Sequence, residues 1–483
     1  MNIDRDPERA RPALDALFRL KKAAVLGIGV SNIPLIGFLR EIGISVTACD
    51  AKPEDSIPQL QQIRELGAVT CCGEGYLEPL NDGGFVIFRT PGMRPDLPEI
   101  KASVLNGSVL SSEMELFFEL CPARIIGVTG SDGKTTTTTV IEKILREEFS
   151  GRKDVSVYVG GNIGTPLLPL VDRMTERDFA VCELSSFQLM TMNDSPDISV
   201  VTNITPNHLN WHTGMDEYIA AKSNIFSHPR CTKAIFCGDC KETLKLSEGH
   251  NGRKVVFSAL TVPDTSDAVF LRDGIIILRE KGKETPVISA NDIIIPGVHN
   301  IKNYMAAIAA TSEFVSAQTV RKVASTFGGV EHRCEFVREI NGIRFYNSSI
   351  DSTPSRTDVT ISSFGSRVNV IVCGRNKNLD LGPLAETLSE NAKEVFLTGE
   401  STDGVLAAAD RFRAEHPDKY FPAVHVYGEF DEAVKASYSL SSPGDTVVLS
   451  PSFTSFDRFR SYTERGRIFK EIINSIEEKR NNG

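Results

Sequence analysis

The chain has 483 residues and a formal net charge of −10, with 41% hydrophobic and 24% charged residues. At about 150 residues per domain, this length predicts about three domains with ordinary globular cores. The acidic balance argues against non-specific nucleic-acid binding, so a phosphate-bearing substrate must be held by local positive sites. No apolar run is long enough to span a membrane, and Met1-Asn2-Ile3-Asp4-Arg5 does not begin a signal peptide. The ten cysteines show no disulfide spacing, which favours a reducing cytoplasm.

The first predicted unit opens with a strand, a glycine-bearing turn and a helix. A strand over 22–27 leads into Gly27-Ile28-Gly29-Val30-Ser31-Asn32, and a helix over 33–42 and a strand ending in Asp50 follow. This order is Rossmann-like, with an acidic side chain where a ribose hydroxyl could bind. Because Asn32 replaces the third glycine of the dinucleotide fingerprint, the pattern supports an α/β turn better than a dinucleotide site.

The clearest chemical motif lies between a predicted strand over 124–129 and a helix that begins at Thr135. It reads Gly130-Ser131-Asp132-Gly133-Lys134-Thr135-Thr136. Glycines let backbone N–H groups approach phosphate oxygens, and the helix N-terminus adds its positive end. Lys134 would reach the β/γ-phosphates and the Thr135 hydroxyl would bind Mg²⁺. Val128 stands where the strict pattern has its first glycine, and the alternative is a tight turn with an incidental lysine. The order Gly-Lys-Thr-Thr favours phosphate binding.

Polar side chains follow two later strands. A buried strand over 179–183 ends in Glu183, which alone could be a solvated strand end but beside the Lys134 loop is favoured as a Mg²⁺ ligand. The strand over 198–203 leads to a loop in which His208 and His212 flank the only tryptophan, and nothing local separates a functional role from a helix-flank role. From spacing alone, Lys222 on the next helix is interpreted as a solvated cation.

Asn300 and Asn303 lie three residues apart at the start of an alanine-rich helix. Their amides could meet one planar ligand such as adenine, or they could simply belong to a capped helix start. Gly328-Gly329 marks the next boundary, after which a third α/β unit is predicted with strands over 343–346, 368–372, 394–397 and 446–449. Its strand ends carry polar turns at the edge where parallel sheets bind ligands.

In order along the chain, these motifs resemble those of the Mur ligase superfamily, and within it the family of UDP-N-acetylmuramoyl-L-alanine–D-glutamate ligases. The resemblance covers nearly the whole chain. It is carried by the loop at 129–135, Gly161-Asn162-Ile163-Gly164, the run E-L-S-S-F-Q-L at 183–189, Asn203-Ile204-Thr205-Pro206-Asn207-His208, Ala221-Lys222, His299-Asn300-x-x-Asn303, His332-Arg333 and Leu449-Ser450-Pro451. The run at 183–189 and the ending Ser455-Phe456-Asp457-Arg458-Phe459 point to the glutamate-adding branch.

The resemblance implies a three-domain α/β fold. A Rossmann-like UDP-substrate-binding domain is expected at 1–112, a central P-loop ATPase-like domain that binds ATP at 113–330, and a C-terminal Rossmann-like amino-acid-binding domain at 331–483. The implied activity is that of an ADP-forming amide ligase in peptidoglycan precursor synthesis, which works through an acyl phosphate. We therefore expect a cytoplasmic monomer that uses small-molecule substrates, ATP and two Mg²⁺ ions, without a nucleic-acid or membrane partner.

The family's site residues map onto this chain position by position. Lys134 would neutralise the β/γ-phosphates, Glu183 and His208 match ligands of a second Mg²⁺, and Lys222 matches a carbamylated lysine that helps to position this ion. In this chain, the positions at which the family holds the nucleotide are occupied by Asn300, Asn303 and Arg333. Positions for the uridine end and the muramoyl-alanine path are Val30, Ser31, Asp50, Asn162, Ser185 and Gln188.

The amino-acid end departs from the family pattern. Ser348 stands where the family has an aspartate that meets the nucleotide, and Ile350 where it has a lysine that meets the incoming glutamate. We hypothesise that Asp351 and Arg356 supply those charges from shifted positions.

Three positions that hold glutamate in the family are still matched, namely Lys377, Ser455 and Tyr462, the last in place of a usual phenylalanine. The alternatives are an L-glutamate-adding or folylpolyglutamate-type ligase, and a non-catalytic relative that binds a UDP-sugar. A third alternative is a dinucleotide oxidoreductase, and both the missing glycine at Asn32 and the separate phosphate loop argue against it.

Overall fold

The computed structural model describes residues 11–29 and 32–477. Contacts divide the chain into two compact units, one formed by Met1–Ala290 with Lys302–Val323 and the other by Asn291–Ile301 with Ala324–Gly483. Two of the three sheets lie in the first unit and the third in the second. The expected α/β class with parallel sheets is confirmed. Val30 and Ser31, expected at the uridine end, lie outside the described residues.

The first sheet is parallel and has the strand order β3-β2-β1-β4-β5. Its elements are α1 (Pro12–Leu20), β1 (Lys22–Leu26), α2 (Asn32–Glu41), β2 (Ser45–Asp50), α3 (Leu60–Glu65), β3 (Val69–Cys72), β4 (Val86–Arg89), α4 (Pro98–Leu105), β5 (Val109–Ser111) and α5 (Glu113–Leu120). Asn32 donates from Nδ2 to the carbonyl oxygen of Gly27 at 2.7 Å. The Asp50 carboxylate accepts from the backbone N–H of Ile28 at 2.7 Å. The residue that replaces the third glycine and the acidic strand end therefore both hold the first turn.

The central sheet has nine strands in the order β14-β13-β12-β11-β10-β9-β6-β8-β7. Its elements are β6 (Arg124–Thr129), α6 (Lys134–Glu148), β7 (Val157–Gly161), β8 (Phe179–Glu183), α7 (Ser186–Leu189), β9 (Ile198–Val201), α8 (Met215–Ser223), β10 (Lys233–Cys237), α9 (Lys241–Ser247), β11 (Arg253–Ser258), β12 (Ala268–Arg272), β13 (Ile275–Glu280), β14 (Lys283–Ser289), α10 (Val298–Thr311) and α11 (Ala317–Ala324).

Strands β12 and β13 pair antiparallel and form a hairpin. Its turn residues Asp273 and Gly274 have φ values of 50° and 73°, as a two-residue hairpin turn requires. Helix α9 lies between β10 and β11 in the chain. It is short and has few apolar residues, so it gives no clear helical periodicity.

The third sheet has the order β15-β16-β20-β17-β18-β19 and is parallel except for β15. Its elements are β15 (Glu335–Ile340), β16 (Ile343–Asn347), α12 (Pro354–Ser362), β17 (Val368–Cys373), α13 (Gly382–Asn391), β18 (Ala392–Thr398), α14 (Thr402–Glu415), β19 (Ala423–Val426), α15 (Phe430–Ser439), β20 (Thr446–Ser452) and α16 (Tyr462–Ser475). The Ser461 side chain caps α16 by accepting from the Glu464 backbone N–H, so this helix begins at Tyr462.

The first two sheets share one hydrophobic core. It runs from Leu17 and Val25 in the first to Ile125, Ala180 and Phe236 in the central region. This continuity is why contacts alone do not separate the chain near residue 112. The expected boundaries at 112 and 330 stay predictions. Among the described residues, no helix combines the length and apolar character that crossing a membrane requires.

Candidate active site

The parallel order of the central sheet brings the chemical motifs to one edge. Glu183, the last residue of β8, pairs with Val128 of β6 on one side and with Gly161 of β7 on the other. Thr129, the last residue of β6, pairs with Val201 of β9. The phosphate loop, the 161–164 turn, Glu183 and the loop after β9 therefore all begin at the same sheet edge. The sequence places these residues far apart, and the strand order brings them together.

The phosphate loop is held in one shape by the segment that follows β9. Ser131 donates from Oγ to the Thr205 carbonyl at 2.8 Å, and the Asp132 N–H donates to Asn203 Oδ1 at 2.9 Å. Gly133 has φ +78°, and a Cβ there would lie 2.5 Å from Asn303 Oδ1. Both the left-handed φ and this close contact favour glycine here. The loop leads directly into α6, whose N-terminal N–H groups suit an anion.

Two lysines converge on one carbonyl of this loop. Lys134 Nζ donates to the carbonyl oxygen of Gly130 at 2.9 Å, and Lys222 Nζ donates to the same oxygen at 2.8 Å. Lys222 also donates to Thr129 Oγ1 at 3.2 Å, and its side chain is buried. Burial, reinforced by the charge of Lys134, lowers the pKa of Lys222 well below its ordinary value. The interpretation of Lys222 as a solvated cation is therefore wrong.

Glu183 presents one unpartnered oxygen. Glu183 is 1% exposed, and its Oε1 accepts from Asn162 Nδ2 at 2.7 Å. Oε2 is buried and has no hydrogen-bond donor within the described part of the chain. A buried carboxylate oxygen without a donor is costly unless a cation or ligand meets it.

His208 lies on the loop after β9, with φ 55° and an exposed side chain. Its ring centroid is 4.9 Å from that of Phe187. Desolvation, together with the charges of Lys134 and Lys222, lowers the His208 pKa. This shift favours the neutral imidazole, which is the form that binds metals. His212, by contrast, is buried.

Ser185 and Gln188 meet each other in a capping box at the start of α7. Ser185 Oγ donates to Gln188 Oε1 at 2.9 Å and accepts from the Gln188 N–H at 3.2 Å. Both side chains are buried. These contacts fix α7 beside Glu183, and a direct role for either residue with the acceptor stays a prediction.

The remaining nucleotide candidates lie on helices that adjoin the loop or in the second unit. Thr135 is half-buried and Thr136 buried in the first turn of α6. Asn303 Oδ1 accepts from Thr137 Oγ1 at 3.2 Å. Asn300 donates from Nδ2 to the carbonyl oxygen of Pro296 at 2.6 Å, and Arg333 is exposed.

In the second unit, Lys377 is exposed and Ser455 is buried. The Lys377 Nζ lies 5.7 Å from the centroid of the Phe456 ring. Tyr462 is 42% exposed, and its carbonyl oxygen accepts from Ser349 Oγ at 2.8 Å.

Asp351 and Arg356, which we expected to supply the missing charges, lie in different environments. Asp351 is buried and accepts from Ser450 Oγ at 2.8 Å, and burial raises its pKa. Its carboxyl group thus lies among hydroxyls of the turn. Arg356 is exposed and donates to the carbonyl oxygen of Ile350 at 3.3 Å, so only Arg356 presents a charge to solvent.

Sequence motifs did not reveal Arg465, which is fully buried in the second unit. Its guanidinium donates to the carbonyl oxygens of Ser349, Cys373 and Phe453 at 2.9, 3.3 and 3.2 Å. It therefore ties three strand-end turns together. A lone arginine in this segment gives no local signal of this role.

Comparisons with known proteins agree with this geometry. Residues 128–311 match the Mur ligase middle domain, and residues 332–453 match the Mur ligase, glutamate ligase domain. The chain is 43% identical to the UDP-N-acetylmuramoylalanine--D-glutamate ligase of Ruminiclostridium cellulolyticum, over 94% of this chain and 97% of that protein. It is 44% identical to the ligase of the same name from Acetivibrio thermocellus, over 95% and 97%.

A solved structure of a UDP-N-acetylmuramoyl-L-alanyl-D-glutamate--2,6-diaminopimelate ligase matches with a TM-score of 0.56 and 16% identity, over 90% of this chain and 93% of that one. MurF from Acinetobacter baumannii matches with a TM-score of 0.54 and 16% identity, over 82% and 92%. At this identity the two structures support the fold alone.

Proposed function

The chain belongs to the Mur ligase family, and from this premise we propose that it joins D-glutamate to UDP-N-acetylmuramoyl-L-alanine, with conversion of ATP to ADP and phosphate. The family is one of ATP-dependent amide ligases in peptidoglycan precursor synthesis. The observation that carries the choice of substrates is the near-full-length similarity to ligases whose names give both of them.

The proposed reaction has two steps. The γ-phosphoryl group passes from ATP to the acceptor carboxylate, which gives an acyl phosphate and ADP. The amine of D-glutamate then attacks the carbonyl carbon, loses a proton, and phosphate leaves as the amide forms. Several anions must be brought together, so fixed positive groups have to line the site. Lys134 and the N-terminus of α6 would supply this charge, Lys134 exchanging its bonds to the loop carbonyls for phosphate oxygens.

Two Mg²⁺ ions would be held in the proposed site, and when bound they would neutralise phosphoryl and acyl oxygens. Thr135 would hold the first through its hydroxyl, while Glu183 and His208 would hold the second. Glu183 Oε2 meets no donor among the described residues, which supports this assignment because Asn162 holds Oε1 and leaves Oε2 for a cation. Within the described ranges no cluster of three or more His, Cys, Asp or Glu side chains suits a metal. Substrate oxygens and water would complete the coordination, as is usual for Mg²⁺.

Lys222 is suited to carbamylation. Attack on CO₂ requires the neutral amine, and burial beside Lys134 favours that form. Addition of CO₂ would convert the buried neutral amine into a carbamate anion, with loss of one proton, and this anion would help to hold the second Mg²⁺. Thr129 and the Gly130 carbonyl fix the nitrogen at the edge from which Glu183 also emerges.

Other contacts of the proposed reaction follow the family positions. Asn300, Asn303 and Arg333 would hold the nucleotide. The uridine end and the acceptor path would be held by Val30, Ser31, Asp50, Asn162, Ser185 and Gln188. In the second unit, Lys377, Ser455 and Tyr462 would hold D-glutamate, with Arg356 near its carboxylates. A cytoplasmic monomer remains the expected state.

The test is release of ADP and phosphate by the purified protein with ATP, Mg²⁺, UDP-N-acetylmuramoyl-L-alanine and either glutamate enantiomer. We expect turnover with D-glutamate only. Lys134→Met should abolish it, while Lys143→Met, an exposed lysine on the same helix, should not. Faster turnover with L-glutamate would move the protein to an L-glutamate-adding branch. Absence of acceptor-dependent phosphate release would favour a non-catalytic relative.

A further inference from the structure

We infer that Arg94, Trp211, His212 and Glu217 form a strap that positions the His208 loop against the Thr90-Pro91-Gly92 turn and so couples acceptor binding to metal binding. The inference rests on the proposed function, because it assigns positioning residues to that same site. All four residues lie in the first compact unit.

Arg94 is the centre of the strap. Its Nη1 and Nη2 donate to Glu217 Oε2 and Oε1 at 2.9 and 3.0 Å, a bidentate pair. Nη1 also donates to the carbonyl oxygen of Trp211 at 3.0 Å, and the guanidinium lies 4.9 Å from the centroid of the indole ring. The segment after β4 is thereby joined to both the His208 loop and the first turn of α8.

Trp211 makes a second connection, from the His208 loop to the turn after β4. Its indole Nε1 donates to the carbonyl oxygen of Gly92 at 2.8 Å. Gly92 closes the turn at the carboxyl end of β4, the edge where parallel sheets bind ligands. A ligand that orders this turn therefore acts on Trp211, three residues after His208.

Glu217 is also connected to α7, through the buried side chain of His212. Glu217 Oε2 lies 3.2 Å from His212 Nδ1, and His212 Nε2 lies 2.9 Å from Ser186 Oγ. His212 and Ser186 are each 2% exposed. Such burial keeps the serine away from any substrate, so this Glu–His–Ser line holds α7 in place rather than activating a nucleophile.

An aromatic cluster connects the strap to the metal candidate. The Phe187 ring packs at centroid distances of 4.9 Å from His208, 4.6 Å from Trp211 and 5.6 Å from His212. The orientation of the His208 ring therefore depends on where Trp211 and His212 hold Phe187.

Arg89 adds a second, parallel link. It is 1% exposed and donates to the carbonyl oxygens of Pro91 and Met93 at 3.0 Å each, and to that of Phe187 at 2.6 Å. The turn that follows β4 and helix α7 are thus joined through both backbone and side chains. A displacement of either one is transmitted to the other.

Two substitutions on the same arginine separate positioning from local stability. Glu217→Gln removes the carboxylate that joins Arg94 to α8. Asp96→Asn removes a second carboxylate, which accepts from Arg94 Nε and Nη2 at 2.9 and 2.8 Å but lies only two residues away in the chain. Glu217→Gln should raise KM for the acceptor and the half-saturating Mg²⁺ concentration about tenfold each, the usual effect of one lost charge-assisted hydrogen bond. KM for ATP should stay within about twofold, and Asp96→Asn should match the unsubstituted protein. If the two variants have the same KM for the acceptor and the same half-saturating Mg²⁺ concentration, the inference is overturned.

Trp211 is the only tryptophan, so its fluorescence reports on the strap without any turnover. Addition of UDP-N-acetylmuramoyl-L-alanine should shift the emission in Asp96→Asn as in the unsubstituted protein, and the shift should be lost in Glu217→Gln. Without ligand, the Trp211 emission of Glu217→Gln should already be red-shifted relative to that of the unsubstituted protein. If the two emission spectra are the same, the inference is overturned. If no variant responds to the acceptor or turns over, the proposed function fails, whereas the ligand-free emission still decides whether the strap holds Trp211.

Discussion

Gly161→Ala tests whether the end of β7 positions Glu183. Gly161 has φ +94°, and a Cβ on it would lie 2.2 Å from the Glu183 carbonyl oxygen, about 1 Å inside normal contact. The backbone of β7 and β8 must separate by about that amount, which moves both Glu183 and its partner Asn162. A displacement of about 1 Å at reacting groups costs about 100-fold in rate. The left-handed φ adds about 1 kcal/mol of strain for alanine.

The assay is steady-state release of ADP with acceptor and D-glutamate, together with urea unfolding. Gly151→Ala is the matched control, because Gly151 has φ +84° but, in the part of the chain that the structure describes, no atom lies within 4 Å of an added Cβ. It should lose about 1 kcal/mol of stability and keep its turnover number. Gly161→Ala should lose more stability and about 100-fold in turnover number. An unchanged turnover number in Gly161→Ala would refute the claim that this strand end sets the position of Glu183.

Three further predictions concern buried titratable groups. Glu183→Gln should reduce turnover about 100-fold or more and abolish the stabilisation of the protein by Mg²⁺ with nucleotide. Glu113→Gln, which removes another buried carboxyl group, should do neither. If Mg²⁺ with nucleotide still stabilised the Glu183→Gln protein, the metal assignment would be contradicted. Carbon-13 NMR after incubation with labelled bicarbonate should show one carbamate signal that Lys222→Met removes, and a signal that survives the substitution would exclude Lys222. Burial raises the pKa of Glu115 to about 8 and that of Glu119 to about 7. The folded state then binds more protons than the unfolded state between about pH 5 and 8, so the free energy of unfolding should fall as pH rises through that window. Urea unfolding should show a smaller fall for Glu115→Gln, and an equal slope would refute a protonated Glu115.

The elements around the phosphate loop could be predicted because their signals are local. An apolar run followed by glycines, Lys134 and a helical period specifies a strand, a loop and a helix without tertiary information. Glu183 at a strand end was predicted in the same way. The capping box of Ser185 and Gln188 also has a local signature, Ser-x-x-Gln, which was available in the sequence.

The environment of Lys222 could not be predicted, because burial against the end of β6 depends on how α8 packs. Its helical spacing is that of a solvated residue. The pairing of Asn162 with Glu183 depends on β7 lying next to β8, which sequence order alone does not specify. The bonds from Arg94 to Trp211 and Glu217 join residues 117 and 123 positions apart. Such contacts follow from topology, and no window of sequence contains both partners.

The measurement that tests the central claim most directly follows the oxygen of the acceptor carboxylate. UDP-N-acetylmuramoyl-L-alanine labelled with oxygen-18 in that carboxylate is converted with ATP, Mg²⁺ and D-glutamate, and the released phosphate is analysed by mass spectrometry. If the carboxylate is phosphorylated and then captured by the amine, one labelled oxygen must appear in each phosphate formed. Phosphate without the label, at the same yield of amide, would contradict activation through an acyl phosphate.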